Sequence, residues 1–344
     1  GSHGKTTTTA MIMHVLKKCN LDFDYMVGAK LEGFSQSVDI TDAPLIVCEG
    51  DEYPASALEK RPKFHFLFPQ VAILTGIAWD HINVFPTYEF YKEQFSIFIG
   101  MIETGGVLIY NETDTELVSL VESCKRIDIK YIPYGVPEHT IHNGITAVKL
   151  GKCTSDIKVF GDHNLLNLHA AYHACATQGI SDAAFLNSIA EFKGASLRLE
   201  KIAGNNSTIV YRDFAHAPSK LKATLNAVRN QYPDRSIVAI FELHTYSSLS
   251  AEFLSQYEGS MDDADKAVVF YSKHALEIKK LKPLPIEAVK EHFRREDLVV
   301  MNNRDVLENW LRDIDLKNTI LLFMSSGNYD GVDVRTFAAE LLSK

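Results

Sequence analysis

The chain is poor in every signal that marks a secreted, membrane-spanning or nucleic-acid-coating protein. Its five cysteines (Cys19, Cys48, Cys124, Cys153, Cys175) are odd in number, scattered and without a C-x-x-C spacing. Neither a disulfide framework nor a structural zinc site is indicated, and a reducing, cytoplasmic setting is the simplest reading. No apolar run approaches the ~18 residues that span a bilayer, and no secretory or transit segment is visible. A net charge of -9 argues against broad nucleic-acid binding, which depends on neutralising phosphates with Lys and Arg. There is no internal repeat, no low-complexity tract and no initiator Met before Gly1. What remains is a globular composition, 46% hydrophobic and 23% charged over 344 residues. That length suits two domains of roughly 100 to 200 residues.

Short β-rich apolar runs recur between helical stretches: "PLIVC" at 44–48, "VAILT" at 71–75, "GVLIY" at 106–110, "STIVY" at 207–211, "SIVAIF" at 236–241, "KAVVF" at 266–270 and "TILLFM" at 319–324. They are nearly continuous in hydrophobicity, as strands buried on both faces would be. Between them lie helical patterns such as "PSKLKATLNAVRNQY", with Leu221, Leu225 and Val228 on one face behind Pro218. The alternation predicts an α/β fold with mostly parallel sheet, whose ligands bind beyond the carboxyl ends of the strands. Residues 128–160, broken by Pro133, Gly135, Pro137, Gly144 and Gly151, predict a small antiparallel insertion. A second change of pattern near 194–206 predicts the domain boundary, giving domains of 1–198 and 199–344.

The opening "GSHGKTTTTAMIMHVL" poses an ambiguity. Gly-Ser-His is what a cleaved tag leaves behind, yet Gly-Lys-Thr-Thr running into a helix is the back half of a phosphate-binding loop. On that second reading Gly1 and Gly4 permit a tight turn, the N–H groups of Ser2, His3 and Thr7 point at phosphate, Lys5 supplies a charge, and Thr6 places a hydroxyl on Mg²⁺. A helix over about 5–18 would offer its positive end to the same phosphates. Glu49, Asp51 and Glu52 follow the strand at 44–48, where a nucleotide-bound Mg²⁺ needs hard oxygens; the alternative is a solvated acidic turn. Asp80 and His81 follow the next strand. In "GDHNLLN", Asn164 and Asn167 beside His163 are either helix caps or a donor–acceptor pair for an adenine edge. Asp213, Phe214 and His216 follow one strand of the second half, and Glu242 and His244 another. Arg198 lies in the linker.

Read in order, these pieces resemble the Mur ligase family, ATP-dependent enzymes that join amino acids or peptides to UDP-N-acetylmuramic acid. The resemblance rests on G-S-H-G-K-T-T at 1–7, E-G-D-E at 49–52, D-H at 80–81, G-x-H-N-x-x-N at 161–167, F-x-G-x-x-x-R-x-E at 192–200 and D-x-x-H-x-P at 213–218. It makes the opening stretch machinery. It implies a P-loop ATPase-type domain followed by a Rossmann-like C-terminal domain, with ATP and Mg²⁺ as cofactors. Within the family, "GDEYPASALEKRPKF" and "WDHINVFP" look like the murein peptide ligase branch, which reattaches the tripeptide L-Ala-γ-D-Glu-meso-diaminopimelate to UDP-N-acetylmuramate during cell-wall recycling. Small-molecule substrates follow from that resemblance; no nucleic-acid or membrane partner is expected, and the protein is expected to be a monomer or weak homo-oligomer. Family members begin with a UDP-sugar-binding domain, so this stretch alone is expected to bind ATP without ligating.

Carried over position by position, the resemblance implies that Lys5 and the loop at 1–7 hold phosphates, and that Thr6, Glu49 and His81 face Mg²⁺. His163, Asn164 and Asn167 would lie near adenine and ribose, and Arg198 and Asp213 would complete the phosphate site. Phe214, His216 and His244 would face the incoming amine. Three departures stand out. Arg212 replaces the first Asp of a D-D pair. His244-Thr245-Tyr246-Ser247-Ser248 replaces the H-R-Y-x-R of the L-alanine-adding enzymes, removing two arginines that clamp a carboxylate. Phe95 stands where several relatives carry a carbamylated lysine, so a second Mg²⁺ would need other ligands. An L-alanine-adding ligase and a nucleotide-binding module without ligase activity are the competing expectations.

Overall fold

The computed structural model describes every residue except 30, 32, 80–83, 195–198 and 344. The chain divides into two units, Gly1–Ala195 and Ser196–Lys344. The first contains α1 (Lys5–Lys18), β1 (Asp24–Met26), β2 (Val38–Asp39), β3 (Ile46–Cys48), β4 (Val71–Leu74), α2 (Tyr88–Gly100), β5 (Val107–Asn111), α3 (Thr115–Ser123), β6 (Lys130–Tyr134), β7 (His139–His142), β8 (Ile145–Leu150), β9 (Cys153–Ile157), α4 (Asp162–Thr177) and α5 (Asp182–Ile189). Gly4, at φ +81°, turns the chain into α1, and Lys17 and Lys18 complement the negative end of that helix. Packing against α4, α5 and β3 buries α1 nearly all round, as a helix inserted between layers must be. Met11, Met13, Val15 and Leu16 join Leu165, Leu168 and Phe185 in one core. A second core gathers Phe64, Tyr91, Phe95 and Leu108 around β4 and β5.

Two features of this unit depart from expectation. The antiparallel insertion begins at β7 rather than at residue 128, because β6 pairs in parallel with β5. Pro133 is tolerated there since, among the described strands, β6 is an edge. The strand at 46–48 is not buried on both faces: Ile46 is half exposed. Among the described residues β3 pairs only with β1 and β4 only with β5. A cleft of about 410 Å³ lies between them, lined by Thr9, Ile12, Val47, Phe66 and Ile73 among others.

The second unit contains β10 (Glu200–Gly204), β11 (Thr208–Asp213), α6 (Pro218–Gln231), β12 (Ser236–Glu242), α7 (Ala251–Leu254), β13 (Lys266–Phe270), α8 (Lys273–Ile278), α9 (Ile286–Phe293), β14 (Val299–Met301), α10 (Arg304–Asp313), β15 (Thr319–Met324) and α11 (Val334–Leu342). Its sheet runs β10-β11-β15-β12-β13-β14, parallel except for β10. Burial of β12 and β15 along almost their whole length explains their unbroken hydrophobic runs. Asp213 and Phe241 both register with Met324, so the turns after β11, β12 and β15 emerge at one edge. Pro218 opens α6 at its first turn, where a missing N–H costs nothing. Among the described residues no helix is long and apolar enough to cross a membrane.

Candidate active site

The loop before α1 is fixed on both sides. Ser2 N–H donates to the Gly76 carbonyl at 2.9 Å, and Thr75 Oγ1 donates to the His3 carbonyl. Gly4 lies so close to Asn167 that a Cβ would overlap Asn167 Oδ1, and the same oxygen accepts from Thr8 Oγ1 at 3.2 Å. Lys5 Nζ spends its three protons on the Gly1 carbonyl at 2.7 Å and on both oxygens of Glu52 at 2.7 and 2.9 Å. Glu52 has no exposed surface; a carboxylate buried that deeply persists only when paired.

Thr6 Oγ1 donates to Glu49 Oε1 at 2.8 Å, and Glu49 Oε2 accepts from Gly28 N–H at 2.9 Å. A hydroxyl and a carboxylate oxygen are thereby held together at the start of α1. These are hard donors suited to Mg²⁺, which takes few protein ligands beside phosphate and water. Among the described residues there is no cluster of three or more His, Cys, Asp or Glu able to hold a metal, and His81 lies outside the described residues. Phe95 is buried in the apolar core beside Phe64 and Tyr91. The acidic turn is not a solvated patch, since each carboxylate has its own partner. Asp51 takes Lys63 Nζ at 2.7 Å; burial opposes its charge, but the Lys63 hydrogen bond wins and holds it below the usual carboxylate range.

At the start of α4 the two asparagines separate in role. Asn167 sits on the loop, while Asn164 is buried with its amide donating to the Phe160 carbonyl at 2.9 Å. His163 is half-buried on the same first turn. Nearby, Asn111 Nδ2 donates to the Thr75 carbonyl and Asp114 Oδ2 accepts from Ile77 N–H, fixing the turn after β4.

In the second unit Asp213 is buried and fully engaged, accepting from Leu199 N–H at 2.6 Å, Ala215 N–H at 2.7 Å and Thr224 Oγ1 at 3.2 Å. His216 Nδ1 donates to the Phe214 carbonyl at 2.9 Å, and the His216 carbonyl accepts from Tyr257 OH at 2.6 Å. Phe214 and His216 meet edge to face, their ring centroids 5.3 Å apart. His244 is one third exposed and faces buried Glu242 across 3.7 Å. Arg198 lies outside the described residues. Glu52 as the partner of Lys5, and Ser325, Gly327 and Tyr329 around Glu242, were not reached from sequence. The Gly-, Asn- and Asp-rich "SSGNYDG" directly after an apolar strand was the available signal for the latter.

Two family domains match the chain: the Mur ligase middle domain over residues 1–175, and the Mur ligase glutamate ligase domain over residues 197–327. The UDP-N-acetylmuramate–L-alanine ligase of Sulfurihydrogenibium sp. (strain YO3AOP1) is 29% identical over 340 residues, covering 95% of this chain and 72% of that protein. In fold the chain is similar to the UDP-N-acetylmuramate-alanine ligase of Thermotoga maritima, with TM-score 0.72 and 20% identity over 100% of this chain and 74% of the other. A murein peptide ligase from Psychrobacter arcticus gives TM-score 0.60 and 21% identity over 100% and 75%. With both domains matched in order, the chain belongs to the Mur ligase family of ATP-dependent, ADP-forming amide ligases.

Proposed function

We propose that this protein joins the murein tripeptide L-Ala-γ-D-Glu-meso-diaminopimelate to UDP-N-acetylmuramate at the expense of ATP, as a recycling step in the cytoplasm. The observation that carries the ATP-dependent half is the pairing of Lys5 with Glu52 and of Thr6 with Glu49, which brings an ammonium group and two metal-competent oxygens to the start of α1. Thr6 and Glu49, with His81 as a third candidate, would hold Mg²⁺, which neutralises phosphate charge when bound. Lys5 adds its own charge where negative charge develops as the muramyl carboxylate attacks the γ-phosphorus and ADP departs. Loop N–H groups orient the phosphates, and Gly4 lets the backbone come that close. The amine then attacks the acyl phosphate, and inorganic phosphate leaves. Phe214, His216 and His244 are assigned to the amine.

The peptide assignment is supported by residues 244–248. No guanidinium is present there, and Thr245 and Ser248 bond to each other, Thr245 Oγ1 donating to Ser248 Oγ at 2.9 Å. A small amino acid's carboxylate would find no bidentate clamp in that stretch. One observation favours L-alanine as the amine instead: the similarity to L-alanine ligases. The deciding experiment is phosphate release by the full-length protein with ATP, Mg²⁺ and UDP-N-acetylmuramate. Release driven by the tripeptide supports the reading, and release driven by L-alanine replaces it with the biosynthetic one. Binding of ATP with release by neither amine overturns both.

A further inference from the structure

The far edge of the second unit contains a buried polar network that the reading above leaves unused. Glu242, the last residue of β12, is almost fully buried. Two donors converge on its Oε2: Ser325 Oγ, and Tyr329 N–H at 3.0 Å. Ser325 is itself held, its oxygen accepting from Gly327 N–H at 2.6 Å. Tyr329, at φ +51°, anchors the loop by donating its hydroxyl proton to the Ile240 carbonyl at 3.0 Å. With Oε2 saturated by donors, Oε1 faces His244 Nδ1 at 3.7 Å.

His244 Nδ1 is sealed from solvent and has no hydrogen-bond partner among the described residues, although a third of the side chain is exposed. The accessible edge of the ring therefore excludes Nδ1, and Nε2 is the remaining nitrogen. Gly327 makes the arrangement possible, since a Cβ there would overlap His244 Nδ1 and lie 2.8 Å from Glu242 Oε2. A buried ring nitrogen without a partner is costly. A closure of under about 1 Å brings Nδ1–H within hydrogen-bond range of Oε1, in the arrangement by which a carboxylate fixes a catalytic imidazole's tautomer.

We infer that Glu242 is a positioning residue that holds His244 in its Nδ1–H form, so that Nε2 takes the proton from the incoming ammonium group. The step balances simply: the proton passes from the substrate nitrogen to Nε2, freeing the lone pair that attacks the acyl carbonyl. The Glu242–His244 pair goes from a charge of -1 to 0. Burial pushes the Glu242 carboxyl up and nearby Asp330 adds to that, while the Ser325 and Tyr329 donors and His244 act in the opposite direction. Asp330 is drawn aside by Ser272 Oγ, which donates to it at 2.8 Å.

This inference rests on the ligase reading above, and its test separates the two. Ring ¹⁵N NMR of His244 in the wild-type protein reads the tautomer without turnover and without a variant. The Nδ1–H form is expected at neutral pH, and a dominant Nε2–H form would overturn the proposal whatever the amine substrate is. In the full-length enzyme, assayed with whichever amine drives phosphate release, Glu242→Gln is expected to lower kcat ~10²-fold. KM for ATP should hold. The Nδ1–H preference of the ring should weaken in the same variant, because a neutral amide is a poorer acceptor than a carboxylate. A ring tautomer unchanged in Glu242→Gln would reduce Glu242 to a structural residue and overturn the assignment.

Discussion

Lys5 and Glu52 offer a test in which stability and function give opposite answers. Glu52 has no exposed surface and Lys5 about a fifth, so Lys5→Met takes its nearest cation from a fully buried carboxylate. Breaking such a pair from one side costs ~3–5 kcal/mol, and partial exposure of Lys5 places this case at about 3 kcal/mol. Replacing both partners, as Lys5→Met with Glu52→Met, removes the stranded charge, and the double variant is expected within about 1 kcal/mol of wild type. The chain has two tryptophans, and Trp79 lies in the first unit with Nε1–H on the Phe85 carbonyl. In a Trp310→Phe background, Trp79 fluorescence follows that unit alone through urea unfolding. With a slope of about 2–3 kcal/mol per molar, Lys5→Met should lower the midpoint by about 1–1.5 M, and the double variant should recover most of it. ATP binding should fail in both. A Lys5→Met protein within about 1 kcal/mol of wild type would show that the pair is not a buried one, as would a double variant no more stable than the single.

Thr6→Val keeps the side-chain shape but removes the hydroxyl bonded to Glu49; Mg²⁺-dependent ATP turnover should fall ~10²-fold with the urea midpoint nearly unchanged, and turnover within a few-fold of wild type would refute the assignment. Gly4→Ala meets both a φ of +81° and Asn167 Oδ1, so titration calorimetry should show at least about a tenfold loss of ATP affinity, a shift of ~1.4 kcal/mol, with the helical circular dichroism retained. Undiminished affinity would mean that the loop is looser than described. His173 is depressed from 6.5 to about 4, by burial first and then by His169 and Lys130. The unfolded chain takes up that proton first, so the stabilisation is present above pH 6.5 and lost as pH falls toward 4. His173→Gln should accordingly lose less Tm over that interval than wild type, and equal losses would contradict the linkage.

Each of the seven apolar runs contains a strand, the one at 44–48 only three residues of it, because short, mostly β-branched or aliphatic runs suit a pleated, buried surface. The strands β1, β2 and β14 did not announce themselves, since three residues or fewer complete barely one period of alternation. Strand order was equally hidden. Nothing in "TILLFM" states that the last strand enters the sheet between β11 and β12. That insertion is what brings Ser325 to Glu242, two residues separated by most of the second unit.

The acidic turn shows why a site can be half legible. Glu49, Asp51 and Glu52 are chemically alike, and their closeness in sequence to a strand end left two readings open, oxygens for Mg²⁺ or a solvated acidic turn. Their partners depend on which way each side chain leaves the backbone after β3. Glu49 and Glu52, three residues apart, both turn toward the loop, one to the hydroxyl of Thr6 and the other to the ammonium of Lys5. Asp51 turns to Lys63 on the far side of the next segment. No composition or spacing rule separates these outcomes, because each is settled by pairing a buried charge with whichever cation or donor the fold delivers. The same reasoning applies to Glu242. Its neighbour in sequence, His244, was visible as a residue after a strand, expected to face the amine, but the serine and backbone N–H that saturate Oε2 come from a loop more than eighty residues later, and only their arrival leaves Oε1 free to orient the ring.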